Sequence, residues 1–287
     1  MTEGLLRMFA WMLLAPLLPG IINKVKAFVA GRRGPSVLQL YYDLARLWQK
    51  GVVMSDSASP GFIVAPAVAW VAVSAAAFLV ACGVSGSGFR GDFLLAIYLL
   101  ALARFCTAWA ALETGSAFEG MGAAREVSYA VLAEAAILAA MLSLSVQTGS
   151  VSLGDMLAPA PGAGTALLAA GLFIVLLSEN CRVPFDDPAT HLELTMIHEV
   201  MVLDHSGPPL AAILHGASLK LLLFAVIVTD AVLPLHRLAA PEAAAALAAG
   251  VLAVTVGVGL TESFLARCAF RRTPLLLTMA FLLCLFS

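Results

Sequence analysis

Residues 62–84 read Phe-Ile-Val-Ala-Pro-Ala-Val-Ala-Trp-Val-Ala-Val-Ser-Ala-Ala-Ala-Phe-Leu-Val-Ala-Cys-Gly-Val, a stretch without one charge. A helix crossing a hydrocarbon core of about 30 Å needs about 20 mostly apolar residues, so this stretch predicts a transmembrane helix. Outward from it, seven more stretches have the same character: 5–25, 93–112, 127–147, 163–180, 210–233, 243–265 and 274–287. Together they predict an all-α, polytopic membrane protein of about eight spans, with 1–287 as one transmembrane domain. The first stretch has only Arg7 before its apolar run, no small-x-small cleavage pattern, and Pro16 and Pro19 late in the segment. It reads as a retained helix, not a signal peptide. The last spans only about 21 Å. The Ala-rich run at 239–249 reads as a loop entering the seventh helix.

Composition supports this. The chain is 61% apolar and 12% charged, with a mean hydropathy of +0.97; soluble domains average about 45–50% and about 25%. So much apolar surface excludes an ordinary soluble enzyme or a disordered chain. The net charge of −2 leaves no basic field for nucleic acid. The five cysteines, Cys82, Cys106, Cys181, Cys268 and Cys284, form no CxxC pair. No zinc site, iron–sulfur cluster or disulfide framework is expected.

Lys and Arg set the orientation. The loops at 26–61, 113–126, 179–209 and 266–273, with the residues flanking them, hold eleven of the 16 basic residues, against Arg7, Arg90 and Arg237 on the other side. The longer loops are therefore expected to face the cytoplasm, and both termini to face out. Charge inside a span is costly and marks function or pairing. Arg104 and Glu134 fall at similar depth on consecutive antiparallel helices and are placed to pair; His215 and Lys220 lie in the sixth span, and Asp230 near its outer end. A polar path for protons or ions from the cytoplasm and a set of structural ion pairs are both compatible with this pattern.

Two loops are unusually rich. In 178–209, Asp187-Pro188 reads as a helix start and Gly207-Pro208 as its stop. Between them, 189–205 reads as an amphipathic helix with Leu192, Met196, Val200 and Leu203 on one face and His191, His198 and His205 in a seven-residue stripe. That pitch, about 10.5 Å, is too long for three ligands of one metal ion; the stripe reads as solvated or partner-facing. In 31–50, the segment 41–48 reads as a short amphipathic helix with interfacial aromatics. No nucleophile elbow or phosphate loop is present.

These segments carry a resemblance. Gly31-Arg32-Arg33-Gly34-Pro35 with Gln39 and Asp43, Arg125-Glu126-Val127-Ser128-Tyr129 leading to Glu134, and Ser178-Glu179-Asn180 with Arg182, Pro184, Phe185 and Asp186 resemble the complex I subunit 1 family. Residues 187–199, from Asp187 to Glu199, with Ser206-Gly207, resemble its branch in formate hydrogenlyase and group 4 membrane-bound [NiFe]-hydrogenases. The resemblance implies a non-catalytic subunit at the heel of an L-shaped complex in the inner membrane of a bacterium or archaeon. Its implied partners are hydrogenase large and small subunits, a ferredoxin-like subunit and antiporter-like membrane subunits. The [NiFe] centre and iron–sulfur clusters would lie in those partners, and no cofactor in this chain.

Carried over, the coupling acids would be Glu113, Glu119, Glu126, Glu134, Glu179 and Glu193, joined in the spans by Arg104, His215 and Lys220. The docking surface would comprise Arg32, Arg33, Asp43, Arg182, Asp186, Asp187, His191, His198, Glu199 and Asp204. A quinone-reducing dehydrogenase subunit is the alternative within the family, although the acidic Gly/Ser-rich stretch usual there after Asp186 is replaced. A stand-alone transporter should show a repeat with broken helices, which the sequence lacks.

Overall fold

The computed structural model describes residues 2–54, 58–157, 162–186, 196–233, 235 and 238–287. Among the described residues there are only helices: α1 (Thr2–Leu14), α2 (Leu17–Val29), α3 (Gln39–Trp48), α4 (Gly61–Val84), α5 (Asp92–Glu113), α6 (Ala117–Thr148), α7 (Leu153–Met156), α8 (Ala163–Glu179), α9 (His198–Met201), α10 (Gly207–Val232), α11 (Ala240–Phe264) and α12 (Thr273–Leu285). Each of the eight apolar stretches is helical. Five helices are long and apolar enough to cross a membrane: α4, α5, α6, α10 and α11. The bent pair α1–α2 makes a sixth candidate if taken as one span, and α8 and α12 are shorter apolar helices.

The first stretch is two helices meeting at 41°, not one. Pro16 causes the break: it lacks an N–H, and its ring displaces the carbonyl four residues back. That carbonyl, Met12 O, is taken up by His215 at 3.0 Å. The neighbouring Leu13 carbonyl accepts the Tyr41 hydroxyl, tying α3 to the kink.

α6 begins ten residues before the expected span, so the expected loop at 113–126 shrinks to 114–116. Ala, Glu, Met and Arg dominate 117–126 and favour helix over loop. Glu119 and Glu126 therefore stand on a helix. The Ala-rich run is likewise helical from Ala240 onward.

α10 is the most buried span, with 72% of its apolar window inside the protein against 22% for α11. It packs on α4, α8 and α11 and reaches α3. α5 packs on α4 and forms a hairpin with α6, α12 covers α6 and α8, and α11 lies along α2.

The expected amphipathic helix at 189–205 is corrected: within its described part, only His198–Met201 is helical. The N–H groups of Ile197 and His198 are taken by the Asp186 carboxylate at 3.0 Å each, and that of Asp204 by Glu119 at 3.1 Å. Side chains thus satisfy backbone groups that a continuous helix would have paired. Met196, Ile197, Val200, Met201 and Val202 are buried, while Leu203, placed by the pattern on the apolar face, is exposed. Gly122 lets this loop lie on α6, because a Cβ there would meet the Ile197 carbonyl at 2.9 Å.

Candidate functional site

Arg104 lies nine residues from the end of α5, about 14 Å along the axis. Its guanidinium sits where α5, α6 and α8 converge. Nη1 donates to Glu134 Oε1 at 2.5 Å, Nη2 donates to Glu179 Oε1, and Nε is 3.7 Å from Glu126 Oε1. From α10, Lys220 Nζ lies 3.8 Å from Glu179 Oε2. Two cations face three carboxylates. The Arg104 and Glu179 side chains are buried, and that of Glu134 is 36% exposed. Low local dielectric strengthens each attraction but raises the cost of any charge left unmatched.

Arg104, Glu126, Glu179 and Lys220 line a cavity of about 80 Å³ with Thr107, Asn180, Cys181 and His198. It is polar on one side and large enough for several waters. Burial and the Glu126 charge raise the Cys181 thiol well above its ordinary range, and the thiol donates to Glu126 Oε2 at 3.8 Å. Burial first, then the nearby Lys220, pushes the His198 imidazole down to about 4, so it sits neutral at the cavity wall.

A layer of loop contacts closes the cluster at the same end. Glu262 of α11 pairs with Lys26 at 2.8 Å and Arg182 at 3.2 Å. Arg267 lies 3.3 Å from Asp186. Arg125 donates to the Met196 carbonyl at 3.0 Å, and Arg125 and Arg267 both lie over the Phe270 ring, at 4.4 and 4.9 Å. The loops at 180–186, 196–205 and 265–272 are thus knit together over the ends of α5, α6 and α8.

The structure brings five of the expected coupling residues together: Arg104, Glu126, Glu134, Glu179 and Lys220. Three others stand apart. Glu113 accepts Trp109 Nε1 at 2.9 Å on the outer surface, and Glu119 is buried against Asp204 N. His215 is held outside the cluster by Trp70 Nε1, which donates to Nδ1 at 2.9 Å, and by the Met12 carbonyl, which accepts from Nε2. This arrangement requires the Nε2–H tautomer.

Of the expected docking residues, Arg32, Arg33 and Asp204 are exposed, and Asp43 accepts from Gln39 at 3.0 Å. Arg182 and Asp186 complete ion pairs within the chain, with Glu262 and Arg267. The histidine stripe is corrected. His198 lines the cavity, and His205 is buried, stacked on Phe62 with ring centroids 4.0 Å apart. Glu199 is part-buried on α9. Asp187, His191 and Glu193 lie outside the described residues. Among the described residues, no group of three His, Cys, Asp or Glu side chains is placed to hold a metal ion. Sequence reasoning missed Glu262, although a glutamate inside the apolar run 243–265 was itself a signal.

The described residues thus form a helical membrane bundle with an arginine–glutamate cluster under one knitted end. The chain belongs to the NADH dehydrogenase family, that of complex I subunit 1, whose family model matches residues 3–286. Among curated relatives, it is 32% identical to hydrogenase-4 component C of Escherichia coli over 239 residues, 79% of this chain and 73% of that one. It is 30% identical to formate hydrogenlyase subunit 4 of the same organism over 277 residues, 91% and 88% of the two chains. Its fold matches a chain in the structure of the membrane-bound sulfane sulfur reductase, an archaeal respiratory membrane complex. The TM-score is 0.82 at 17% identity, covering 99% of this chain and 98% of the other.

Proposed function

We propose that this chain is the membrane subunit of a group 4 [NiFe]-hydrogenase complex of the formate hydrogenlyase kind, and that it couples redox chemistry in a peripheral arm to ion movement in the membrane. The family membership and the two Escherichia coli relatives support the setting. One observation carries the coupling role: Arg104 gathers Glu126, Glu134 and Glu179 from two helices beside Lys220 and a hydrated-size cavity. With one carboxylate more than cations, the cluster has a site for a proton, because a buried net charge is costly.

The path leads sideways. Beyond Lys220, α10 presents buried apolar residues from Leu221 to Val228, about 15 Å of dry packing before Asp230. Glu134, by contrast, is partly exposed in the middle of the α6 face formed by Val127, Val131, Leu138 and Leu142, all exposed. A carboxylate at that depth is not matched to lipid; an antiporter-like membrane subunit would cover this face and receive the charge.

At the other end, the basic loop with Arg32 and Arg33 and the amphipathic helix α3 would dock the large, small and ferredoxin-like subunits on the cytoplasmic side of the inner membrane. The redox centres belong in those partners; this chain carries none and is not catalytic by itself.

Photo-cross-linkers placed at Val131 and Arg33 in the assembled complex test this arrangement. The first is expected to capture a membrane subunit and the second a peripheral one. Capture of lipid alone at Val131, or of a membrane subunit alone at Arg33, would overturn it.

A further inference from the structure

Asp230 stands ten residues beyond Lys220 on α10, about 15 Å along the axis, and two residues before that helix stops. It therefore lies at the end of the bundle away from the Arg104 cluster, the end that the Lys and Arg count places outside. The residue is only 7% exposed. Among the described residues its carboxylate has no hydrogen bond and no ion pair. A buried carboxylate left charged without a donor is costly, so the group needs a cation, a proton or water.

The carboxylate lines a cavity of about 170 Å³ between α1, α4, α7, α10 and α11, room for several waters. Small residues make the space. Gly83, Gly154 and Ala243 line its wall, and Gly86, Ala240 and Ala244, all exposed, form its mouth. The charged groups around it are few. α1 brings Arg7, which lines the cavity and donates from Nη1 to the Val84 carbonyl at 3.4 Å. Asp155 of α7 is exposed and accepts from Ser150 Oγ at 2.9 Å. Glu242, in the first turn of α11, is exposed as well. α4 closes the cavity with Gly83 and Val84, whose carbonyls already accept from the Gly86 N–H and from Arg7. A metal ion would thus find one carboxylate, two engaged carbonyls and a guanidinium that repels it. Metal cations of the hard class need several free oxygen ligands. A proton needs one.

We propose that this cavity is a water-filled vestibule open to the outer side, in which Asp230 binds a proton exchanged with the outer solution. On uptake, a hydronium gives its proton to the carboxylate, and the neutral acid turns its O–H to vestibule water. On release, the proton returns to water, and Arg7 across the cavity offsets the charge left behind. Leu221 to Val228 keep α10 dry between the two polar sites. Asp230 therefore equilibrates with the outer side alone, and its charge follows outer acidity where α1, α4 and α11 meet α10.

The test uses the intact complex in sealed vesicles of known sidedness. A water-soluble carbodiimide with glycine ethyl ester, added from one side, is followed by peptide mass spectrometry at position 230. Labelling is expected from the outer side only. Ala244→Phe, which closes the mouth from an exposed position, should reduce it to background while Glu242 stays labelled. Infrared difference spectra should gain the C=O stretch of a neutral carboxylic acid when the outer solution is acidified. That band should be missing in Asp230→Asn, whose ion movement per turnover stays at the native level. Labelling from the inner side, none from either side, labelling unchanged in Ala244→Phe, a band that persists in Asp230→Asn, or loss of ion movement in that variant would overturn the proposal.

Discussion

Arg104 and Glu134 are thirty positions apart in the chain and meet at 2.5 Å. The three-residue link between α5 and α6 makes these helices neighbours, and the same guanidinium also reaches Glu179 on α8 and Glu126 one helical stretch away. One cation thus holds three carboxylates in place. Replacing it by glutamine leaves those acids facing one another without their main counter-ion. Arg104→Gln is expected to destabilise the chain by about 3–5 kcal/mol, the usual cost of removing one partner of a buried charged group. Thermal unfolding and the yield of assembled complex measure this, and Arg104→Lys should recover only part, because it cannot fork between carboxylates.

Two loop histidines, His205 buried on Phe62 and His198 half-buried at the cavity wall, give a pH dependence. Burial lowers His205 to about 4, and burial with Lys220 does the same to His198, against an ordinary value of about 6.5. The unfolded loop therefore takes up protons first as pH falls. The stabilisation they contribute is complete above about 6.5 and is lost between about 6.5 and about 4. Amide exchange over 196–205, corrected for its intrinsic rate, should show protection falling from pH 7.5 to pH 5. His205→Phe, which keeps the stack on Phe62, should flatten part of that fall; constant protection would contradict the assignment.

Much of this was legible in the sequence. Apolar run length located all eight helical stretches, and the intramembrane charge rule picked out Arg104, Glu134 and Lys220 before any contact was visible. What escaped has identifiable causes. Pro16 was visible, but whether a proline kinks a span or merely sits in it depends on what receives the freed carbonyl, here His215 from more than 200 residues away. Glu119 and Glu126 read as loop residues because hydropathy marks the apolar core of a helix and not its polar first turns. Residues 196–205 read as part of a helix from their periodicity, which carries no record that the Asp186 and Glu119 carboxylates intercept backbone donors there.

Gly207 starts α10 with φ +58, and a Cβ there would lie 2.8 Å from the Gly51 carbonyl and 3.0 Å from that of Lys50. Ser206 Oγ accepts Val53 N–H at 2.9 Å beside it. Gly207→Ala should therefore cost about 1–3 kcal/mol through the left-handed backbone and the crowded carbonyls. The chain at 50–54 should become more sensitive to limited proteolysis, while cleavage elsewhere stays unchanged.

Trp70→Phe removes the donor to His215 Nδ1 and keeps most of the ring packing. A buried acceptor left unpaired costs about 1–3 kcal/mol. The variant should unfold at a lower temperature, and in the double variant Trp70→Phe/His215→Leu the two losses should be less than additive, because the shared Trp70–His215 bond is lost only once while the Met12 carbonyl loses its donor as in His215→Leu alone. A double variant less stable than the sum of the single ones would contradict the pairing.

The central claim is that charge passes from the Arg104 cluster through Glu134 into the neighbouring membrane subunit. The intact complex with Glu134→Gln, reconstituted in sealed vesicles, tests it most directly when turnover and ion movement are recorded together. Glutamine keeps the size and a hydrogen-bond acceptor for Arg104 but cannot exchange a proton. The account predicts that the complex assembles and turns over while ion movement per turnover falls to background. Unchanged ion movement per turnover in an assembled variant would contradict it and leave Arg104 and Glu134 as a structural ion pair.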